Sequence, residues 1–155
     1  MHVAAHLQKI ARLERMRSRL DPQADFELWF WAGMHAGTHA FNAALHHAGI
    51  TPQERAFAMQ PGVYLVAKSD GTFVPELRAN PGDVLHVGRP HIDGPLPDDV
   101  QRIAHAMERM EAFRDPCVRE GKRPTAEIID TCNDALRECL ALLGERVSGD
   151  QHAAA

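Results

Sequence analysis

The chain has 155 residues, 45% of them hydrophobic and 25% charged, enough to bury the core of one domain. A formal charge of −4 and a pI of about 6.2 exclude a molecule that attracts nucleic acid through its overall field, so any anion-binding surface is local. Ten histidines make the charge sensitive to pH between about 5 and 8, where an ordinary imidazole titrates.

Residues 2–20 carry Val3, Leu7, Ile10, Leu13 and Leu20 at three-to-four spacing, which predicts an amphipathic helix stopped by Asp21-Pro22. The segment lacks the uninterrupted apolar core and cleavage site of a signal peptide, so the expectation is a cytoplasmic protein. Its cations Lys9, Arg12, Arg15, Arg17 and Arg19 read as a solvated face or a local basic patch, with only Glu14 to offset them.

A second helix is expected from about Ala24 to Ala48, with acids Asp25 and Glu27 in its first turn and Gly49 at its end. Residues 26–49 are long enough to cross a bilayer. His35, His39, Asn42, His46 and His47 interrupt the apolar run, so no membrane span is expected. The helical wheel divides this helix in two. Phe26, Phe30, Gly33, Gly37, Ala40, Phe41 and Ala44 fall on one side, where the ridge Gly33, Gly37, Ala40 and Ala44, with almost no side chain, predicts another helix packed closely along it. Leu28, His35, His39, Asn42 and His46 fall on the other, which reads as a solvated polar stripe or a partner surface. His35 and His39, one turn apart, are also a candidate metal pair, with a third ligand from His86, His91 or Asp93. No His-Glu-x-x-His accompanies them. A divalent ion is thus a possible cofactor of this stripe.

Two β-rich runs around Ser69-Asp70-Gly71, in "GVYLVAKSDGTFVPEL", predict a hairpin whose second strand Pro75 confines to an edge, and "GDVLHVGRPHIDGP" adds a short third strand and a loop. Pro97-Asp98-Asp99 opens a third helix with the stripe Val100, Ile103, Met107 and Met110, ended or kinked at Pro116. Arg114 lies near the middle of that stripe. A guanidinium there either bends out to solvent as the helix ends or binds an anion. The last helix is expected from Thr125 to Gly144, followed by a frayed tail. Cys132 and Cys139, seven apart, share a face with Ile128, Ala135 and Leu136. With Cys117 they make neither a disulfide framework nor a zinc knuckle, and read as small buried hydrophobes. The sum is a mainly α, four-helix bundle-like domain over residues 1–147, with a small β insertion at about 62–88 and a flexible tail at 148–155.

The helix order, the stretch "FELWFWAGMHAGTHAFNAALHHAG" and the stretch "MERMEAFRDPCVREGKRPTAEIIDTCNDALRECLALL" resemble HEPN domains. In that family the second helix has an aromatic, His- or Tyr-containing centre, and the third leads into an Arg–polar–x-x-x–His motif. The resemblance covers about two thirds of the chain. It makes Arg114 the motif arginine and Asp115 its polar neighbour, while Arg119 stands where the histidine belongs; the β insertion is a second departure. It implies a non-catalytic or weakly catalytic domain that binds nucleotide, RNA or a protein partner as a homodimer, holding an anion with Arg114, Asp115, Arg119 and Arg123, with Lys122 nearby. Two other readings stay open: a metal-dependent enzyme using His35 and His39, and a homodimeric interaction module with a pH-sensitive histidine face.

Overall fold

A computed structural model describes residues 1–51, 53, 63–77 and 91–153. Four helices account for most of them: α1 (Val3–Arg17), α2 (Phe26–His47), α3 (Asp98–Glu111) and α4 (Ala126–Ala153). Strands β1 (Val63–Ala67), β2 (Phe73–Leu77) and β3 (His91–Asp93) lie between α2 and α3 and form a sheet of order β2-β1-β3. The architecture is a helical bundle with a small β insertion, as the periodicity predicts.

The apolar α2 is the hub, packing against α1, α3 and α4. Towards α3 it presents the glycine–alanine ridge. A Cβ on Gly37 would overlap Sδ of Met107 and lie 2.8 Å from its Cε; one on Gly33 would lie 3.0 Å from Cε of Met110. The two glycines are there because methionines of the α3 stripe occupy the space a methyl would need. Val100, Ile103, Met107 and Met110 are all fully buried, and Cys132, Ala135, Leu136 and Cys139 carry the same core onto α4. All three cysteines are free. Burial pushes the Cys132 thiol up to about 12, so it behaves as a small hydrophobe rather than a nucleophile. Gly49, at φ +71°, ends α2 in the left-handed conformation that glycine adopts without a Cβ penalty.

In the sheet, β1 pairs antiparallel with β2 and parallel with β3, and Pro75 sits on the edge strand opposite Leu65. Among the described residues no helix is long and apolar enough to cross a membrane.

Two boundaries differ from the sequence expectation. The last helix does not stop at Gly144 but continues to Ala153, through most of the expected tail. A mid-helix glycine costs only about 1 kcal/mol. Two residues on, Arg146 reaches back to Asp99 with Nε and Nη2 at 2.5 and 2.6 Å from its two carboxylate oxygens. This bidentate pair ties α4 to the first turn of α3 and holds the Asp99 carboxyl below its ordinary range. The third helix, in turn, ends at Glu111, and Arg114–Arg119 form a single π-helical turn closed by the Glu120 amide donating to the Asp115 carbonyl at 2.9 Å. Pro116 has no N–H to continue an α-helical ladder, and the wider turn accommodates it.

Candidate functional site

The π turn is where the expected anion-binding residues gather. Its first residue, Arg114, is only 18% exposed, but not because it lies in an enclosed polar pocket. Its Nη1 donates to Oε1 of Glu111 at 3.2 Å and its Nε to Oδ1 of Asp115 at 3.0 Å. Two carboxylates thus answer the charge that the helical wheel placed on the core stripe. Asp115 Oδ1 also faces Nη1 of Arg119 at 3.5 Å. Arg114 therefore acts through Asp115, which it fixes, and Asp115 in turn positions Arg119. Lys122 and Arg123 are exposed beyond the turn.

Arg119 projects into a groove of about 480 Å³ between the turn and α2, lined also by Glu27, Trp31, His35 and Val118. The three α2 residues are spaced i, i+4, i+8 and so share one face of that helix. Trp31 is half-buried and packs edge-on against Phe30, with ring centres 5.7 Å apart. Partial desolvation, reinforced by the Lys9 ammonium, lowers the pKa of the exposed His35 and so favours its neutral imidazole. The groove therefore offers a fixed guanidinium, an aromatic face, a neutral imidazole and one carboxylate. Leu28, 65% exposed, lies one turn before Trp31. A second groove, of about 540 Å³ between α3 and α4, contains Arg102, His105 and Arg109, but both of its guanidiniums bond Glu138.

The α2 histidines part company. His35 stands in the groove, whereas His39, Asn42 and His46 are buried beneath α1. This corrects the expectation of a solvated stripe, and the cause is the register of α1. His6, Ile10, Leu13 and Arg17 recur at i, i+4, i+7 and i+11 and lay one face of that helix along α2, with His6 over its C-terminal half and Arg17 over Trp29. His6 is 3% exposed, and its Nδ1 lies 2.9 Å from Nδ1 of His39. Its ring centre is 5.1 Å from that of His39 and 5.3 Å from that of His46. His46 Nδ1 in turn meets Oγ1 and the carbonyl oxygen of Thr51 at 2.6 and 3.1 Å, and Asn42 Nδ2 donates to the Thr38 carbonyl at 3.0 Å. Burial, and then the neighbouring imidazoles, lower the His6 pKa to about 3; burial and Lys9 lower that of His39 to about 4.

The expected metal set is not assembled among the described residues. No three of their His, Cys, Asp or Glu side chains are grouped to hold an ion, and His39 faces His6 instead. His86 lies outside the described residues, as do the side chains of His91 and Asp93.

The basic patch on α1 holds a second surprise. Lys9, Arg12, Arg15 and Arg19 are exposed as expected, but Arg17 is buried. Its guanidinium lies over the ring of Trp29, 3.9 Å from the centre, and Nη2 donates to Oδ1 of Asn133 at 2.8 Å. A single side chain thus joins α1 to α2 and α4. The signal for His6 and Arg17 was present in the i, i+4, i+7, i+11 spacing, with polar residues at both ends of an apolar stripe. Searches against protein-family models, curated proteins and solved structures each return no match for this chain.

Proposed function

We propose that this chain is a non-catalytic, HEPN-like helical domain that binds a nucleotide or single-stranded RNA through the groove between α2 and the π turn. What carries the reading is the convergence in one groove of Arg119, Trp31 and His35. A guanidinium fork suits phosphate oxygens, an aromatic face suits a base, and a neutral imidazole serves as hydrogen-bond donor or acceptor to either. Among the arginines of the turn, Arg119 is the phosphate ligand and Arg114 the positioning residue, because Arg114 already engages both Glu111 and Asp115. Cleavage is not part of the proposal. The position where the family motif has histidine is Arg119, and a guanidinium does not exchange a proton near neutral pH. Glu27 at the edge of the groove disfavours highly charged anions.

Titration with a nucleoside 5′-monophosphate and with a short single-stranded RNA, read through the fluorescence of the two tryptophans, Trp29 and Trp31, tests this. The expected result is affinity that falls as salt rises from 50 to 200 mM and drops at least about tenfold in Arg119→Ala, the worth of one charge-assisted contact. Trp31→Ala, followed by calorimetry, weakens binding by a similar factor, since base stacking contributes about 1–3 kcal/mol. Unchanged affinity in Arg119→Ala, with the helical circular dichroism intact, overturns the proposal.

A further inference from the structure

The imidazole cluster between α1 and α2 lies outside the groove and plays no part in the binding reading. Four observations bear on what it does. First, α1 is held down weakly: within Val3–Arg17 the only buried apolar side chain is Ile10, and the other two buried residues are His6 and Arg17. Second, among the described residues every titratable or charged group that acts on His6 and His39 is a cation or becomes one. From α1 and the segment before it these are Lys9 and the terminal amine; from α2 they are His35, His39 and His46 themselves. Of the described residues after α2, Thr51 meets His46 and Gln53 meets His2, and neither is charged.

Third, Nε2 of His6 is buried with no hydrogen-bond partner among the described residues, so a further proton on this ring finds no acceptor there. Fourth, the His6–His39 bond joins two Nδ1 atoms, which requires one donor and one acceptor. It survives with no added proton or with one. With two, a pair of N–H donors face each other at 2.9 Å and the bond becomes a repulsion.

We infer that the His6–His39–His46 cluster is an acid-operated latch, whose protonation releases the N-terminal half of α1 from α2 while Arg17 keeps the C-terminal end attached. The attached end carries no group that titrates between pH 5 and 8: the Arg17 guanidinium stays over Trp29 and bonded to Asn133. Release uncovers the C-terminal half of α2, including Asn42, Ala43 and His46, which is buried when the latch is closed. The released histidines take up protons at their ordinary pKa near 6.5, and each one held neutral in the closed state shifts the equilibrium up to about tenfold per pH unit below that value.

Amide hydrogen exchange on the full chain at pH 7.5 and pH 5.0, corrected for intrinsic exchange rates, tests the latch. The expected result is that protection in residues 3–10 falls at least about tenfold at pH 5.0, while the α3 and α4 amides keep theirs. In His6→Leu/His39→Leu the acid-induced loss disappears. Should that variant fail to fold, His6→Gln alone is expected to diminish the loss. Protection in α1 that is the same at both pH values overturns the inference. So does a loss that persists undiminished in the variants, or one shared equally by all four helices.

Discussion

Where α2 faces α3, Gly37 lies beneath the thioether of Met107; where it faces α1, the imidazole of His39 lies against that of His6. Both contacts are closely fitted and both are buried, yet they depend on different physics. The first gains its stability from apolar area and dispersion, neither of which changes with pH. The second exchanges hydration of polar rings for one hydrogen bond and leaves His6 Nε2 unpartnered, so its net contribution is small and conditional on the rings staying neutral. One helix thus carries a permanent seam and a conditional one.

Truncation of the permanent seam has the largest expected effect. Met107 is fully buried, and Met107→Ala is expected to cost about 2–5 kcal/mol in urea unfolding, at pH 7.5 and at pH 5 alike. A cost below 1 kcal/mol sinks the assignment of Met107 to the core. The conditional seam responds to pH instead. The folded-state values of His6 and His39, about 3 and about 4, lie below the unfolded value near 6.5. The unfolded chain therefore binds more protons in this range, and the stability contributed by neutral histidines, fully present above about pH 6.5, is lost as pH falls towards these folded values. Replacing both partners with leucine removes that dependence. His6→Leu/His39→Leu is expected to lie within about 1 kcal/mol of the parent at pH 7.5, because paired polar groups are exchanged together. At pH 5 it is expected to be more stable than the parent by on the order of 3 kcal/mol. Equal stability at pH 5 breaks the comparison.

The two seams were not equally legible. Glycine and alanine in a ridge on a helix can be read directly as a close approach, because the cost of mid-helix glycine demands a packing reason. The α3 stripe that fills the ridge has its own 3.6-residue period. Histidine carries no such unambiguous signal, since the same side chain serves a wet face, a ligand set or a buried pair. The α2 sequence alone does not say that His39 and His46 are covered while His35 is not. That was decided by α1, whose short apolar stripe had to be extended through His6 and Arg17 to show the register. Arg17 was obscured by its neighbours, lying in a run of cations of which the others are exposed. The site at the π turn was legible in composition but not in geometry: Arg114, Asp115 and Arg119 stood out in the sequence. Their division of labour depends on a turn that no periodicity announces, and Trp31 and Glu27 joined the site only through the packing of α2 against it.

Two single substitutions on the permanent seam refine the comparison at its smallest scale. Both replace glycine by alanine inside the same helix, so both gain up to about 1 kcal/mol of helix propensity. They differ in what the new methyl meets. At Gly37 it overlaps Sδ of Met107, a side chain with no exposed surface, and repacking a full core costs about 1–3 kcal/mol. Gly37→Ala is therefore expected to destabilise by about 1 kcal/mol net. At Gly33 the nearest atoms are Cε of Met110 at 3.0 Å and Nε of Arg17 at 3.2 Å, both far along flexible side chains that need yield only a few tenths of an ångström. Propensity and crowding then nearly cancel, and Gly33→Ala is expected to change stability by less than about 0.5 kcal/mol. Because that methyl also presses on Arg17, it reports on the anchored end of α1 as well. A loss at Gly33 as large as that at Gly37 would mean that the Arg17 guanidinium is held too rigidly between Trp29 and Asn133 to move, which makes the hinge of α1 stiffer than its single hydrogen bond implies.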